Sequence, residues 1–420
     1  MIITSFAKKG KTMKIDPIIT SLTDIDAYKP NMGAVIDRYY GDYTARWALK
    51  VRNPDVHFTP EMINEIKKQI DWFCGLSFTK DEIDGLKTSF KWLPTAYIIN
   101  NLKNWHPNRE DIHINEIGMQ TYNDCGLAIE AEGTWLDTSL YEIAILAIVS
   151  EVWFKMKYAD RLDELDIEFQ KRTIEKFNKV KDGTYDIGIF SEFGTRRRYS
   201  KKMQEWLIKY LVNENIPGFV GTSNVWLAHK YGTKPIGTQA HELYMGVQQK
   251  PGLEKSYTNA EIMKVWNEVY KTDLGIALTD TLGTEVFLKD FDKNFATLFS
   301  GVRHDSGDPV WWGELMLAHY KNLGIDPKTK TLLFSDSLNF EKATAIRKHF
   351  KDRTNVAFGI GTFLTCDLPV DPLNIVFKMV ECNGKPVCKL SNNDGKIMCQ
   401  DNEYVDYLKR TIVWRLRYEN

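Results

Sequence analysis

The sequence has no excess charge of either sign: 55 lysines and arginines stand against 56 aspartates and glutamates, a formal net charge of −1. That balance removes the global electrostatic case for a nucleic-acid or membrane partner, so any anion must be held by charge gathered locally. Cysteine is scarce, with six residues at 74, 125, 366, 382, 388 and 399 and no CxxC pair among them. Metal sites usually show close paired ligands, and Cys382 and Cys388 merely flank Asn383-Gly384-Lys385-Pro386, which reads as a hairpin turn. Residues 1–14 hold lysines but no apolar h-region and no small-residue cleavage site, so the thiols are expected reduced in a cytoplasmic protein. Met13 can serve as the start, which makes the preceding stretch an extension. Long apolar runs are missing as well. The longest, residues 140–154, is too short to span a bilayer and contains Glu142 and Glu151. It reads as a buried helix opened by a Ser139-x-x-Glu142 capping box. No internal repeat or low-complexity segment is present.

What remains is ordinary soluble material with chemistry placed at regular intervals. An apolar share of 43% and a charged share of 26% supply a core, and 420 residues suffice for two domains or one decorated barrel. In the first part, Thr59-Pro60 reads as an N-cap followed by proline at the first helical position. Ile63, Ile66, Ile70 and Phe73 then form one face, and Gly75 the stop. Strands are expected near residues 45–51, 111–117 and 127–131.

After Ser139 short apolar runs recur, at residues 187–190, 219–220, 235–236, 276–278, 332–334 and 356–358. Helical patterns separate several of them, at 201–213, 260–270 and 340–351. Alternation of this kind predicts parallel strands with crossover helices, and six or seven such units favour a barrel over an open sheet. The division expected is an N-terminal α/β domain over 1–138 (with 1–13 as the extension), a barrel over 139–370, and a segment over 371–420 that returns to the first domain.

Reactive residues in α/β barrels gather where strands end. Here those ends read Phe193-Gly194-Thr195-Arg196, Gly221-Thr222-Ser223-Asn224, Gly237-Thr238-Gln239-Ala240-His241, Thr279-Asp280, Arg303-His304-Asp305-Ser306-Gly307-Asp308, Ser335-Asp336-Ser337 and Gly359-Ile360-Gly361-Thr362. The apolar patch around Leu298-Phe299 and Val302 is expected to form the strand before Arg303. The amides of Gly359-Ile360-Gly361-Thr362 can cradle a phosphate or simply turn the chain. Asp308 before Pro309 fits a helix cap, whereas Asp305 and Asp336 suit a sugar diol or Mg2+. Of Arg196-Arg197-Arg198, at least one is expected to reach into the mouth, where a planar guanidinium suits phosphate or carboxylate. His241 can act as base, ligand or phosphoryl acceptor. Tyr28 and Phe193 can stack on a flat ring from two sides.

Taken with Thr23-Asp24-x-Asp26-x-Tyr28-Lys29 and residues 378–386 (Lys-Met-Val-Glu-Cys-Asn-Gly-Lys-Pro), these motifs resemble the bacterial nicotinate phosphoribosyltransferases, in order, over about residues 22–391. The resemblance implies an irregular parallel α/β barrel with an additional discontinuous α/β domain built from the N-terminal and C-terminal chain. It also implies a homodimer with shared active sites, in which Tyr28 enters the neighbour's barrel opposite Phe193. The implied reaction joins nicotinate and phosphoribosyl pyrophosphate into nicotinate mononucleotide and pyrophosphate for NAD salvage. ATP is a co-substrate, hydrolysed through a phosphorylated His241.

By the same resemblance Arg196 and Mg2+ neutralise pyrophosphate, helped by Lys378 and Lys389, while Asp305 and Asp336 take the ribose hydroxyls or the metal. Ser337, Gly359, Gly361 and Thr362 hold the 5′-phosphate. Asn224 and Asp280 complete the substrate shell. Nicotinamide-using relatives carry an aspartate where Ser223 stands. A serine that can donate, with Arg303 to pair a carboxylate, favours the acid. A quinolinate-using relative would lack the ATP-linked histidine, and an aldolase or isomerase would need a lysine or glutamate base that no strand end supplies. A non-catalytic scaffold would not need His241, Arg196, Asp305 and Asp336 together.

Overall fold

The computed structural model describes residues 15–121, 124–393 and 396–419, so the expected N-terminal extension lies outside the described residues. Strands β1 (Thr44–Val51), β2 (Ile112–Ile114) and β3 (Ile129–Thr134) come first. Seven short ones follow: β4 (Ile189–Glu192), β5 (Phe219–Thr222), β6 (Lys234–Pro235), β7 (Ile276–Leu278), β8 (Gly301–His304), β9 (Thr331–Phe334) and β10 (Asn355–Ile360). Strands β11 (Ile375–Cys382) and β12 (Lys385–Pro386) end the series.

The outer strands form an antiparallel sheet in the order β12-β11-β1-β3-β2. Strand β1 buries Ala45, Trp47, Leu49 and Val51 on one face, the period-2 pattern of a half-covered strand. It lies between β3 and β11, so early and late chain share one sheet. The tight connection from β11 to β12 is Asn383-Gly384, both at positive φ (51° and 64°), which is the pair a two-residue hairpin demands.

Strands β4 to β10 are all parallel, in the order β6-β5-β4-β10-β9-β8-β7. Around that curled sheet every strand but β6 pairs with its successor, and the last, β10, pairs with the first, β4. The expected irregular barrel is therefore an open one, unpaired between β6 and β7. Side chains bridge that seam: Thr238 Oγ1 donates to the Ile276 carbonyl (3.0 Å), and Gln239 Oε1 accepts from the Leu278 N–H (3.2 Å).

Two of the helices start at the caps the sequence marks. Thr59 accepts from the Met62 N–H at the head of Pro60–Cys74, and Asp308 accepts from the Trp311 N–H (2.7 Å) ahead of Pro309–Asn322. The capping box expected at Ser139 does not form. Helix Tyr141–Lys157 begins after Leu140, the Ser139 hydroxyl is buried with no partner among the described residues, and Glu142 turns inward to two lysines instead. That helix is buried through Phe154 and packs against β11, against helix Pro60–Cys74 and against the turn Thr195–Arg197 that follows β4. The patch before Arg303 also differs from expectation. Leu298 ends helix Lys293–Leu298, and β8 starts at Gly301 and contains Arg303 and His304. No helix among the described residues is long and apolar enough to cross a membrane.

Candidate active site

The C-terminal ends of β4 to β10 open into a cavity of about 550 Å³. All of the expected site residues line it except Asn224 and Asp280. Asn224 is a structural residue here: it caps helix Val225–Lys230 through the Leu227 N–H (2.9 Å) and donates to Asp24 (2.7 Å). Asp280 sits behind the wall, against His241.

His241 begins helix His241–Val247 at the open seam, and its Nε2 lies 2.8 Å from Asp280 Oδ1 and 3.8 Å from Asp305 Oδ2. Asp280 also accepts from Ser306 Oγ (2.5 Å) and pairs with Lys389 (3.2 Å). Burial would raise the Asp280 carboxyl, but His241 and Lys389 outweigh it and hold the group below the usual range. An ionised Asp280 can only accept, so Nε2 carries the ring proton and Nδ1 keeps its lone pair. Burial, then the Lys389 charge, lowers the imidazole pKa and favours that neutral form. The arrangement leaves a ring nitrogen ready to bond an electrophile.

Arg303 is held on three sides, donating to Ser335 Oγ (2.8 Å), the Gln239 carbonyl (3.1 Å) and Asp305 Oδ1 (2.8 Å). Against the pull of burial, Arg303, Lys389 and His241 keep Asp305 well below the ordinary carboxylate range. Lys396 pairs with Asp336 at 2.5 Å.

On the opposite wall the chain's own Tyr28 enters the cavity. The Ala27 N–H donates to the Ser223 carbonyl (2.7 Å), seating this segment on the end of β5. A Cβ on Gly237 would lie 2.8 Å from the Tyr28 nitrogen, so only glycine admits the approach. The expectation that a neighbour supplies Tyr28 is thus corrected: one chain brings Tyr28 and Phe193 to one cavity. Gly359 makes room for that phenyl ring, which would stand 2.4 Å from a Cβ there. The Ser223 hydroxyl donates to Asp26 (2.7 Å), whose carboxyl burial pushes up. Arg196 makes no hydrogen bond or ion pair among the described residues, and its charge interacts with Tyr28, Glu142, Asp305 and Asp26.

Several residues went unnoticed in the sequence. Arg52, Arg197 and Lys396 line the cavity, so seven cations (with Arg196, Arg303, Lys378 and Lys389) face three carboxylates, Asp26, Asp305 and Asp336. That excess suits a polyanion. Arg197 lay in the noticed run and Arg52 directly follows β1, whereas nothing local marks Lys396. Glu142, expected as part of a capping box, accepts from Lys378 (2.8 Å) and pairs with the buried Lys29 (2.8 Å), which also reaches Glu242 (2.6 Å).

Comparison with known sequences agrees with this geometry. Residues 23–150 match the profile of the nicotinate phosphoribosyltransferase (NAPRTase) N-terminal domain, and residues 189–414 match that of the nicotinate phosphoribosyltransferase (NAPRTase) family. The chain belongs to the nicotinate phosphoribosyltransferase family. It is 41% identical over 402 residues to the nicotinate phosphoribosyltransferase of Yersinia enterocolitica, covering 95% of this chain and 97% of that protein. The Proteus mirabilis nicotinate phosphoribosyltransferase is 40% identical, over 94% of this chain and 96% of its own. The crystal structure of the Vibrio cholerae nicotinate phosphoribosyltransferase superposes with a TM-score of 0.87 at 36% identity, over 94% of both chains. That from Porphyromonas gingivalis gives 0.86 at 33%, over 94% of this chain and all (100%) of that one. Within the nicotinate phosphoribosyltransferase family the curled open sheet, with the second sheet beside it, is thus the shared scaffold of the cavity.

Proposed function

We propose that this chain transfers the phosphoribosyl group of phosphoribosyl pyrophosphate to the ring nitrogen of nicotinate, releasing pyrophosphate in NAD salvage. ATP hydrolysis through His241 is coupled to the transfer. The observation that carries the reading is the single cavity in which a Tyr28–Phe193 slot, a cation-rich wall and the His241–Asp280 pair meet.

The residues divide the work as their chemistry suggests. Nicotinate lies flat between Tyr28 and Phe193, with its carboxylate toward Ser223 and the unengaged N–H groups of Arg303. The raised Asp26 carboxyl favours its neutral form, which lessens the repulsion an incoming carboxylate meets. The nitrogen of nicotinate is already nucleophilic and needs no base. Leaving of pyrophosphate builds positive charge on the sugar carbon, as in glycoside cleavage. Alignment and neutralisation of the leaving group are what the protein contributes. Arg196 faces the pyrophosphate with Lys378 and Lys389 beside it, Asp305 and Asp336 take the ribose hydroxyls, and Ser337, Gly359, Gly361 and Thr362 receive the 5′-phosphate.

Asp305 and Asp336 offer carboxylate oxygens on the cavity wall, each already paired with a cation. That donor set fits Mg2+ arriving with substrate phosphates, not an all-protein cage. Bound there, the ion would add charge neutralisation at the phosphates. For the coupling, the free Nδ1 of His241 bonds the terminal phosphorus of ATP as the bond to ADP breaks. The new group adds roughly one and a half to two negative charges, by analogy with other phosphorylated side chains, and water later releases it as phosphate. A homodimer remains the expected assembly, but Tyr28 does not require it.

The test is incubation of the purified protein with nicotinate, phosphoribosyl pyrophosphate and Mg2+, with and without ATP, following mononucleotide by chromatography. Nicotinate mononucleotide that rises with ATP is expected. Product from nicotinamide or quinolinate alone overturns the substrate, and no product from any of the three overturns the reaction.

A further inference from the structure

Behind the catalytic wall lies a pair of thiols that the reaction does not use. Lys389 and Met398 form an antiparallel bridge and exchange both backbone hydrogen bonds, each 2.9 Å. The flanking residues, Cys388 and Cys399, therefore face each other as a non-hydrogen-bonded pair, where Cα atoms stand about 4.5 Å apart. That separation falls within the range a disulfide spans, about 4.4–6.8 Å. Alternation along the ribbon puts Lys389 and Met398 on the cavity side and the two cysteines on the other, in an apolar cluster with Leu282, Val286, Leu390 and Leu408.

Cys399 Sγ donates to the Asp401 carbonyl (3.2 Å), and its pKa is lowered to about 7, with the neighbouring Cys388 thiol as the largest cause. Cys74 and Cys382 are pushed up to about 12 by burial. Cys399 is half-buried, and Cys388 is fully buried. The ribbon also touches both halves of the site. Lys389 reaches Asp280 (3.2 Å) and Lys396 reaches Asp336 (2.5 Å), while the Cys388 backbone exchanges hydrogen bonds with the Gln248 side chain at the end of the His241 helix (2.6 and 2.9 Å).

We propose that Cys388 and Cys399 form a reversible disulfide that staples this ribbon and slows turnover. The inference that turnover changes rests on the transferase reading; the bond itself does not. With a small-molecule disulfide as oxidant, the Cys399 thiolate attacks one of its sulfurs and expels a thiolate, leaving a mixed disulfide. The Cys388 sulfur, giving up its proton, then attacks Cys399 Sγ and expels the second thiol. Two electrons and two protons pass from the protein to the oxidant, which leaves as two thiols. A stapled ribbon holds Lys389 and Lys396 against their carboxylates and resists the displacement that substrate entry and product release require.

The test treats the full chain with oxidised glutathione, alkylates the remaining thiols and maps the peptides by mass spectrometry. The expected product is a Cys388–Cys399 cross-link with the other four cysteines alkylated. Nicotinate mononucleotide formation should fall several-fold, recover with dithiothreitol, and not fall in Cys399→Ser or in Cys388→Ala. Two alkylated thiols at 388 and 399 after oxidation overturn the proposal, as does a cross-link with unchanged turnover or an equal loss in the variants. Mapping reads the bond without the reaction, so its failure leaves the transferase reading intact.

Discussion

Arg196 and Arg198 stand two residues apart in one cationic run and end in opposite circumstances. Arg198 is fully buried, with Asp24 at 2.7 Å and Glu151 at 2.8 Å, and Gln204 completes its shell (3.2 Å). Arg196 faces the cavity and has no such partner among the described residues. Both clusters are built from the same residue types, and both include strand-end motif residues. In one, every charge is consumed by another protein group. In the other, charge is left over for something that is not protein. A strand-end motif therefore mixes residues that hold the frame with residues that meet the ligand, and only the presence of a void tells them apart.

The largest effect is expected at Arg198. Arg198→Met leaves Asp24 and Glu151 buried without their partner, and removal of one member of a buried pair typically costs about 3–5 kcal/mol. The expected outcome is a large drop in thermal midpoint, read by circular dichroism. Arg196→Met should leave that midpoint nearly unchanged while product formation collapses; equal unfolding by both variants would erase the distinction. His241→Ala comes next, with ATP stimulation lost and fold retained. Asp280→Asn keeps the shape but no longer dictates which ring nitrogen holds the proton. The ATP-dependent part of the rate should fall by about a hundredfold, within the range for general acid–base groups, while the ATP-independent part stays.

The smallest effect lies in pH. Burial pushes the Glu192 carboxyl up to about 7, against the hydrogen bonds of Thr222, Gly194 and Gln204. A raised folded-state value means that its contribution is fully present below the ordinary carboxylate range and is lost as pH rises toward 7. Glu192→Gln should flatten that slope in urea titrations, an effect of at most about 3 kcal/mol by linkage. Asp24 and Glu142 run the other way. Burial is outweighed by Arg198 for one and by Lys29 for the other, so their stabilisation holds above the ordinary range and fades as pH falls below it.

The alternation of strands and helices was readable because the short strands carry their own apolar runs and several helices their caps, as at Thr59 and Asp308. Most of the cavity wall was readable too, because parallel strands deliver their ends to one side. What escaped was set by distance in the chain. Glu142 looks like a cap because Ser139 lies three residues before it, and only folding brings Lys29 and Lys378 to its carboxylate. Asn224 looks like a ligand contact until Asp24 arrives beside it. Lys396 reaches Asp336 from a ribbon that no periodicity announces. Tyr28 is far from the strand ends in sequence, yet backbone bonds of the residues before it, Ala27 to Ser223 among them, seat it there.

The unpaired seam between β6 and β7 has a mechanical consequence. Everywhere else in the curled sheet, parting neighbouring strands means breaking a backbone ladder. Here the edges are joined by the Thr238 and Gln239 side-chain bonds, worth about 1 kcal/mol each in net terms. His241 hangs from one edge and Asp280 follows the other, so the pair straddles the most compliant joint of the ring. A ligand needs only a few kcal/mol of preference for one spacing to set the distance between them.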